Sequence, residues 1–166
     1  MAAAGTAVTN GSTIAAALQA AGARVAVGCL RNASAVASWL AAGVADGHRV
    51  AVVAAGERWS RDSSLRPSLE DHLGAGAILS ALATLAGGDG FSPEASVAAD
   101  LFEASRGRLV SHVQTCVGGR ELAAKGFAAD VALAADLDAS TVVPVLIQGA
   151  FEESVRRPGS ALFQTS

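Results

Sequence analysis

Short apolar segments alternate with helix-like segments near the start of this chain, and this alternation restricts the fold more than any other feature. The apolar segments cover residues 6–9, 24–29 and 49–55, and the segments between them, 12–21 and 32–45, are rich in alanine. Strand, helix and strand in this order favour right-handed βαβ units with parallel pairing. Residues 49–55 are almost continuously apolar, as is typical of a strand covered on both faces. We predict an α/β fold, a three-layer α/β/α sandwich with a largely parallel sheet.

The rest of the chain adds helices, one long loop and a last strand. Residues 56–67 form a polar loop that exceeds the roughly 2–6 residues usual for such connections, and long loops are often functional. The other predicted elements are helices over 69–85 and 93–104, helical segments to about residue 136 that break near Gly118-Gly119 and Gly126, and a strand over 141–147. We predict a single domain over residues 1–151 and a flexible tail over residues 152–166.

Composition excludes several classes of protein. The 166 residues are 51% hydrophobic and 16% charged, which is enough apolar material for one buried core. The net charge is −3 and no basic stripe or tyrosine is present, so we expect no nucleic-acid partner. No apolar run approaches the roughly 20 residues of a membrane span, and the N-terminus lacks a signal peptide's positive charge. Because Cys29 and Cys116 make no disulfide framework, we expect a cytoplasmic protein with reduced thiols and no membrane contact.

The end of the first predicted strand is a candidate anion site. In an open parallel sheet, ligands bind outside the carboxyl ends of the strands, where loops lead into helices. After Asn10, Gly11 permits a tight turn, and the N–H groups of the helix start favour an anion. Ser12 and Thr13 add hydroxyl groups to this candidate substrate-binding site. An ordinary Asn-Gly turn with a serine cap explains the same residues, so both interpretations stay open.

The second strand end contains Arg31 and Asn32. The guanidinium of Arg31 is suited to clamp an oxyanion, and Asn32 is suited to hydrogen-bond a ligand. In the structural alternative, Asn32 simply caps the following helix and Arg31 lies in solvent. Cys29, just before them, is expected to be a small core residue because nothing nearby in sequence activates its thiol.

At the third strand end, Gly56 and the loop after it precede two adjacent carboxylates in the sequence, Glu70 and Asp71. Paired carboxylates suit a hard divalent cation or acid–base catalysis. Acidic residues in the first turn of a helix also stabilise it by complementing its macrodipole, which is an equally good explanation. His72 follows them and is the one histidine whose position suggests a function.

Several familiar motifs are missing. The sequence has neither the Gly-x-x-x-x-Gly-Lys-Ser/Thr phosphate loop nor the Gly-x-Gly-x-x-Gly dinucleotide fingerprint. Arg120 follows Cys116 at a spacing shorter than that of a cysteine-phosphatase loop, and no strand is predicted before them. The histidines have no metal-ligand spacing.

Taken together, the motifs resemble the 2-phosphosulfolactate phosphatase family, the ComB-like proteins of the coenzyme M pathway. Thr9-Asn10-Gly11-Ser12 resembles the family's Thr-Asn-Gly-Thr, and residues 28–33 resemble its Gly-Ser-x-x-Asn-Ala. Further short matches to the family lie at residues 53–56, 69–71, 74–76, 119–122, 126, 130–131, 143–145 and 149–151. The order and spacing of these motifs make the resemblance specific.

The resemblance implies a Mg²⁺-dependent phosphatase that acts on the phosphate ester of a small sulfonated or carboxylated hydroxy acid. A metal ion and backbone N–H groups would stabilise charge on the transferring phosphoryl group. By position, residues 10–12 would hold an oxyanion and Asn32 would orient the substrate. Glu70 or Asp71 would serve the metal or a water molecule.

Two other functions stay open. Family members carry a further N-terminal portion with an Asp-x-x-Arg-Ala-Thr/Ser-like strand end, and nothing in this sequence resembles it. The chain would then be a degenerate homologue that binds small anions, or an interaction module whose sheet edge pairs with another chain. We also expect a homodimer and a small anionic substrate as partners.

Overall fold

The computed structural model describes residues 10–59 and 61–154, and helices dominate this part of the chain. Its α-helices are α1 Asn10–Ala20, α2 Ala33–Ala45, α3 Leu69–Ala86, α4 Pro93–Ser105, α5 Leu109–Thr115, α6 Val117–Ala124 and α7 Ala128–Ala134. Its strands are β1 Glu57–Arg58, β2 Leu65–Arg66, β3 Pro144–Ile147 and β4 Ala150–Glu153. Short 3₁₀ turns, Leu30–Asn32 and Arg106–Arg108, lead into α2 and α5. Within the described ranges, no helix is both long and apolar enough to cross a membrane.

The first four helices lie close to their predicted positions because the sequence marks their ends. The Oγ of Ser92 accepts a hydrogen bond from the N–H of Ala95 at 3.3 Å, and Pro93 occupies the first position of α4. After α2, Gly47 takes a left-handed φ of 81°, a conformation that commonly ends helices. Local capping chemistry therefore sets these boundaries.

The later helical region breaks at a different place from the predicted one. Gly118-Gly119 lies inside α6, and the break before this helix falls at Cys116. Cys116 has an extended backbone, and its Sγ accepts a hydrogen bond from the N–H of Gly119 at 3.3 Å. The thiol thus caps α6, and the helix continues through both glycines.

The core lies where α3 packs between α2 and α4. Leu73 and Ala77 of α3 are 1% and 2% exposed, and they contact a cluster that includes Trp39 of α2 and Phe102 of α4. Close packing depends on Gly76, because a methyl group there would overlap the carbonyl oxygen of Ala98 on α4. This glycine lets the backbones of the two helices approach each other.

The sheets that the described residues form are antiparallel. β1 pairs with β2, and β3 pairs with β4. Gln148 and Gly149 connect β3 to β4 with left-handed φ values of 48° and 86°, as a two-residue hairpin turn requires. Predicted strand 24–29 joins β3 through a single antiparallel bridge between Ala26 and Val145. The chain mixes helix and strand as predicted, but the parallel pairing was wrong for these pairs, and the three-layer sandwich is not confirmed.

Two other strand predictions have different outcomes. Residues 49–55 form no ladder with another described segment, and Val53 is 52% exposed. A strand is stable only beside a partner that accepts and donates its backbone hydrogen bonds, and apolar sequence alone does not supply that partner. Residues 6–9, the first predicted strand, lie outside the described residues.

The C-terminal boundary of the fold also differs from the prediction. β4 includes Glu152 and Glu153, which the sequence assigned to the tail. Their strand is held by the hairpin turn and pairs with Pro144 and Val145 of β3. Residues 155–166 of the predicted tail lie outside the described residues.

Candidate functional site

One cavity of about 620 Å³ collects the beginnings of three helices. The residues from these first turns that line it are Gly11 and Ser12 of α1, Cys29 and Leu30 before α2, and Glu70 and Asp71 of α3. The N–H groups in the first turn of a helix lack intrahelical partners and carry partial positive charge, so they favour anions. The structure thus gathers the three predicted strand ends around one cavity.

The junction at residues 55–56 is hydrogen-bonded to both α1 and α3. The Nδ2 of Asn10 donates to the carbonyl oxygen of Ala55 at 2.8 Å. The N–H of Gly56 donates to Oδ2 of Asp71 at 2.7 Å. The side chain of Asn10 therefore holds the backbone beside the site, and Gly56 orients a carboxylate. The expected oxyanion-binding role of Asn10 stays a prediction.

Gly56 has a conformation that other residues rarely adopt. Its φ is 67°, and a Cβ atom would lie 2.9 Å from the carbonyl oxygen of Arg66. The tight turn places its N–H toward Asp71, and this geometry requires glycine.

Asp71 is a half-buried carboxylate with an unusual environment. Burial raises the pKa of its carboxyl above the ordinary value, the neighbouring Glu70 raises it further, and the hydrogen bond from Gly56 partly offsets both. A carboxylate that is costly to ionise gains from a nearby cation and is a better proton acceptor than an ordinary one. Either property suits a catalytic or metal-binding residue.

Glu70 lies beside Asp71 and contacts α6. Its Oε2 lies 3.4 Å from Sγ of Cys116, and its Oε1 lies against Gly118. The sequence alone did not predict that Cys116 or Gly118 lies at the site. A local sequence pattern cannot indicate a contact between residues as far apart as Glu70 and Cys116, which are separated by 46 positions.

Cys116 lacks the environment of a nucleophile. Burial is the main cause that raises the pKa of its thiol, and the nearby charge of Glu70 also raises it. Nucleophilic cysteines need the opposite shift, since the thiolate is the reactive form. The contacts of Cys116 are those of a helix cap and a neighbour of Glu70.

Arg31 and Thr13 do not line the cavity. The Nη1 of Arg31 donates to the carbonyl oxygen of Leu133 at 2.7 Å and forms an ion pair with Asp136 at 3.5 Å. Thr13 is exposed on α1, and His72 is exposed on α3. The substrate-binding roles of Arg31 and Thr13 stay predictions, and the contacts of Arg31 are structural.

Asn32 is buried and uses its amide within the protein. Its Oδ1 accepts from the N–H of Cys29 at 2.8 Å, and its Nδ2 donates to the carbonyl oxygens of Val142 at 2.9 Å and Val27 at 3.3 Å. These bonds tie the turn before α2 to the segment before β3. Its role in orienting substrate stays a prediction.

We expect Asn32→Ala to destabilise the protein. The change removes three hydrogen bonds to backbone groups, and each such bond contributes about 0.5–1.5 kcal/mol. The measurement is the urea midpoint of unfolding, with Asp100→Ala as the control because that side chain is exposed on α4. An Asn32→Ala midpoint equal to that of wild type would contradict a structural role.

The charges around the cavity favour a bound cation. Among the residues that the structure describes, Arg24 is the only Lys or Arg that lines the cavity, and its guanidinium stacks on the ring of Trp39 at 5.1 Å. Arg24 opens the 24–29 segment, whereas the helix beginnings lie at that segment's other end, where Glu70 and Asp71 carry the charge. A phosphate ester next to two carboxylates needs positive charge beyond the helix N-termini.

The residues present fit Mg²⁺ better than Zn²⁺. Among the side chains of residues 10–59 and 61–154, no group of three or more His, Cys, Asp or Glu is placed to hold a metal ion. Structural and catalytic zinc sites need three or four such ligands. Mg²⁺ keeps several waters and is commonly bound by one or two carboxylates together with substrate phosphate. Glu70 and Asp71 match that second pattern.

Comparison with known proteins agrees with the sequence motifs. The search of curated proteins found no match. The family model for 2-phosphosulpholactate phosphatase matches residues 5–149, which include the three helix beginnings at the cavity. This chain therefore belongs to the 2-phosphosulpholactate phosphatase family.

Proposed function

We propose that this protein hydrolyses the phosphate monoester of a small sulfonated or carboxylated hydroxy acid with the help of Mg²⁺. The observation that carries the proposal is the shared cavity, in which the beginnings of three helices meet the carboxylates of Glu70 and Asp71. Helix N-termini favour the phosphate, and the carboxylates favour the cation that accompanies it. The family membership supports the same chemistry.

Each part of the cavity has a role in this proposal. The first turn of α1, at Gly11, binds phosphate oxygens through backbone N–H groups. Asp71, oriented by Gly56, would hold Mg²⁺, and a bound Mg²⁺ would supply positive charge to neutralise the phosphoryl group. Glu70 accepts a proton from the water that adds to phosphorus. The ester P–O bond breaks, the proton that Glu70 accepted passes to the leaving oxygen, and the products are the hydroxy acid and inorganic phosphate.

The size and lining of the cavity support a small organic substrate. A volume of about 620 Å³ lies within the usual range of small-molecule sites. Away from the carboxylates the wall is apolar, with Val25, Val36 and Ile78 among its residues. Such a wall excludes water from one side of the reacting group, which strengthens electrostatic interactions there.

Release of inorganic phosphate tests the proposal. Purified protein would be incubated with 2-phosphosulfolactate, 2-phospholactate and phosphate esters that lack an acid group, in Mg²⁺ and in EDTA. We expect turnover in Mg²⁺, a kcat/KM at least about tenfold higher for the acid-bearing esters, and loss of activity in EDTA. No turnover of any ester in Mg²⁺ would reject the proposal.

A second function is a non-catalytic module that binds small anions. The observation in its favour is that three helices begin at the cavity, whereas the described residues provide no group of three metal ligands for catalysis. This function predicts stabilisation by inorganic phosphate or a small sulfonate without turnover, by about 2.7 kcal/mol at 100 times the dissociation constant. A protein whose Tm does not respond to either anion would exclude it.

A further inference from the structure

The first turn of α6 contacts the candidate site although α6 is not one of the three helices that begin at the cavity. Cys116 and Gly118 both touch the carboxylate of Glu70, on separate oxygens. We infer that Cys116 and Gly118 are positioning residues, which fix the Glu70 carboxylate for the hydrolysis. The catalytic part of this inference rests on the proposed function, whereas the placement of Glu70 rests on the contacts alone.

Gly118 provides the space that Glu70 occupies. A methyl group on Gly118 would overlap Oε1 of Glu70 and would lie 3.0 Å from its Cδ atom. The obstructed atoms belong to the flexible end of a side chain, so an alanine is accommodated when Glu70 rotates away. Gly119 is different, because a methyl group there would overlap the backbone oxygen of Val113. Gly118 therefore controls the position of one carboxylate with little effect on the backbone.

Cys116 holds the other oxygen of the same carboxylate. Its Sγ lies 3.4 Å from Oε2 of Glu70 and 3.1 Å from the carbonyl oxygen of Val113. The thiol has one hydrogen to donate, and Oε2 of Glu70 lies within hydrogen-bonding distance of it. The N–H of Gly119 donates to the same sulfur, which fixes the sulfur at the start of α6.

An ion pair holds α6 against the segment that leads into α3. Arg66 donates from both terminal nitrogens to the two carboxylate oxygens of Glu121 on α6, at 3.0 and 3.1 Å. Only 11% of the Arg66 side chain is exposed, and planar two-bond pairs of this kind are geometrically specific. The ion pair thus fixes α6 relative to the first turn of α3, so the distances from Glu70 to Cys116 and Gly118 are also fixed.

Kinetics of four variants test the inference. Gly118→Ala and Cys116→Ala are expected to lower kcat about 10–100-fold, as is usual when the partner of a site residue is removed. KM is expected to change much less, because Glu70 acts on water rather than on substrate binding. Cys116→Ser keeps a donor and should retain wild-type kcat. So should the control Gly107→Ala, where a methyl group meets nothing within 4 Å. Equal kcat in all four variants would overturn the inference.

A crystal structure of the Gly118→Ala variant gives a result that does not depend on turnover. We expect the Glu70 carboxylate to leave α6, while the hydrogen bond from Gly56 to Asp71 remains. If the wild-type protein hydrolyses no ester, the proposed function fails, and this structure still decides where Glu70 is held. A Glu70 carboxylate that stays against α6 would overturn the inference. A Gly118→Ala chain that fails to fold would also count against it, and the two Cys116 variants would then decide.

Discussion

Asp71→Asn is expected to lower Mg²⁺-dependent phosphate release by on the order of 10²–10⁴-fold, the usual effect of losing an acid–base or metal-holding group. The amide oxygen of asparagine still accepts the hydrogen bond that Gly56 donates at 2.7 Å. The geometry of the turn is therefore preserved, and the loss of activity reports the loss of the charge.

The same variant is expected to be more stable than wild type at neutral pH. Burial raises the pKa of Asp71 in the folded state, so ionisation costs more there than in the unfolded chain. Below the unfolded pKa of about 4 the carboxyl is protonated in both states, and the two proteins should have similar stability. As the pH rises through the folded pKa, wild type loses stability and the asparagine variant does not.

Urea unfolding at several pH values and phosphate release measure these two effects together. The control is Asp100→Asn, an exposed aspartate on α4, which is expected to change neither activity nor stability. An Asp71→Asn protein that is less stable than wild type at pH 7 and keeps its activity would show that Asp71 is only a structural residue.

Gly76→Ala is expected to give the largest loss of stability among the glycine substitutions considered. The added methyl group would overlap the carbonyl oxygen of Ala98 and lie 2.8 Å from Cβ of Phe102. Overpacking a core costs about 1–3 kcal/mol, and alanine's better helix propensity returns up to about 1 kcal/mol. Because the obstructing atom belongs to the backbone of α4, relief requires the two helices to separate, and we expect a net loss near the upper end of that range.

The urea midpoint and the m-value of Gly76→Ala are the quantities to measure. Gly107→Ala is the control because its methyl group meets nothing within 4 Å. A midpoint for Gly76→Ala that matches the control would mean that α3 and α4 do not pack as closely as described.

Local chemistry predicted the helices better than the sheets. Ser92 and Pro93 mark the start of α4 in the sequence itself, and the structure confirms that position. An apolar segment such as 49–55 shows that side chains avoid water, but it does not specify the partner strand or its direction. The two-residue turn at Gln148 and Gly149 sets the antiparallel direction of β4 relative to β3, whereas the parallel prediction came from the apolar segments near the start of the chain.

The candidate site was predictable only in part for a related reason. Gly56 follows the end of a predicted strand, and Asp71 lies in the first turn of a predicted helix. The general rule that ligands bind where strands lead into helices in α/β folds therefore brings the two residues near each other. The hydrogen bond from Arg31 to Leu133 joins residues 102 apart, and the contact between Cys116 and Glu70 joins residues 46 apart. Spacing along one sequence carries no information about such pairs, so neither contact could be predicted.

The central claim is that an anion and its cation bind where the first turns of α1 and α3 meet, and NMR titration tests it most directly. Backbone amide shifts of the full chain would be followed as 2-phosphosulfolactate is added in the presence of Mg²⁺. We predict the largest shift changes at Gly11, Gly56 and Asp71. The largest changes elsewhere, for example at Ser34 and Asp138 in the separate polar pocket, or none at saturating ligand, would contradict the claim.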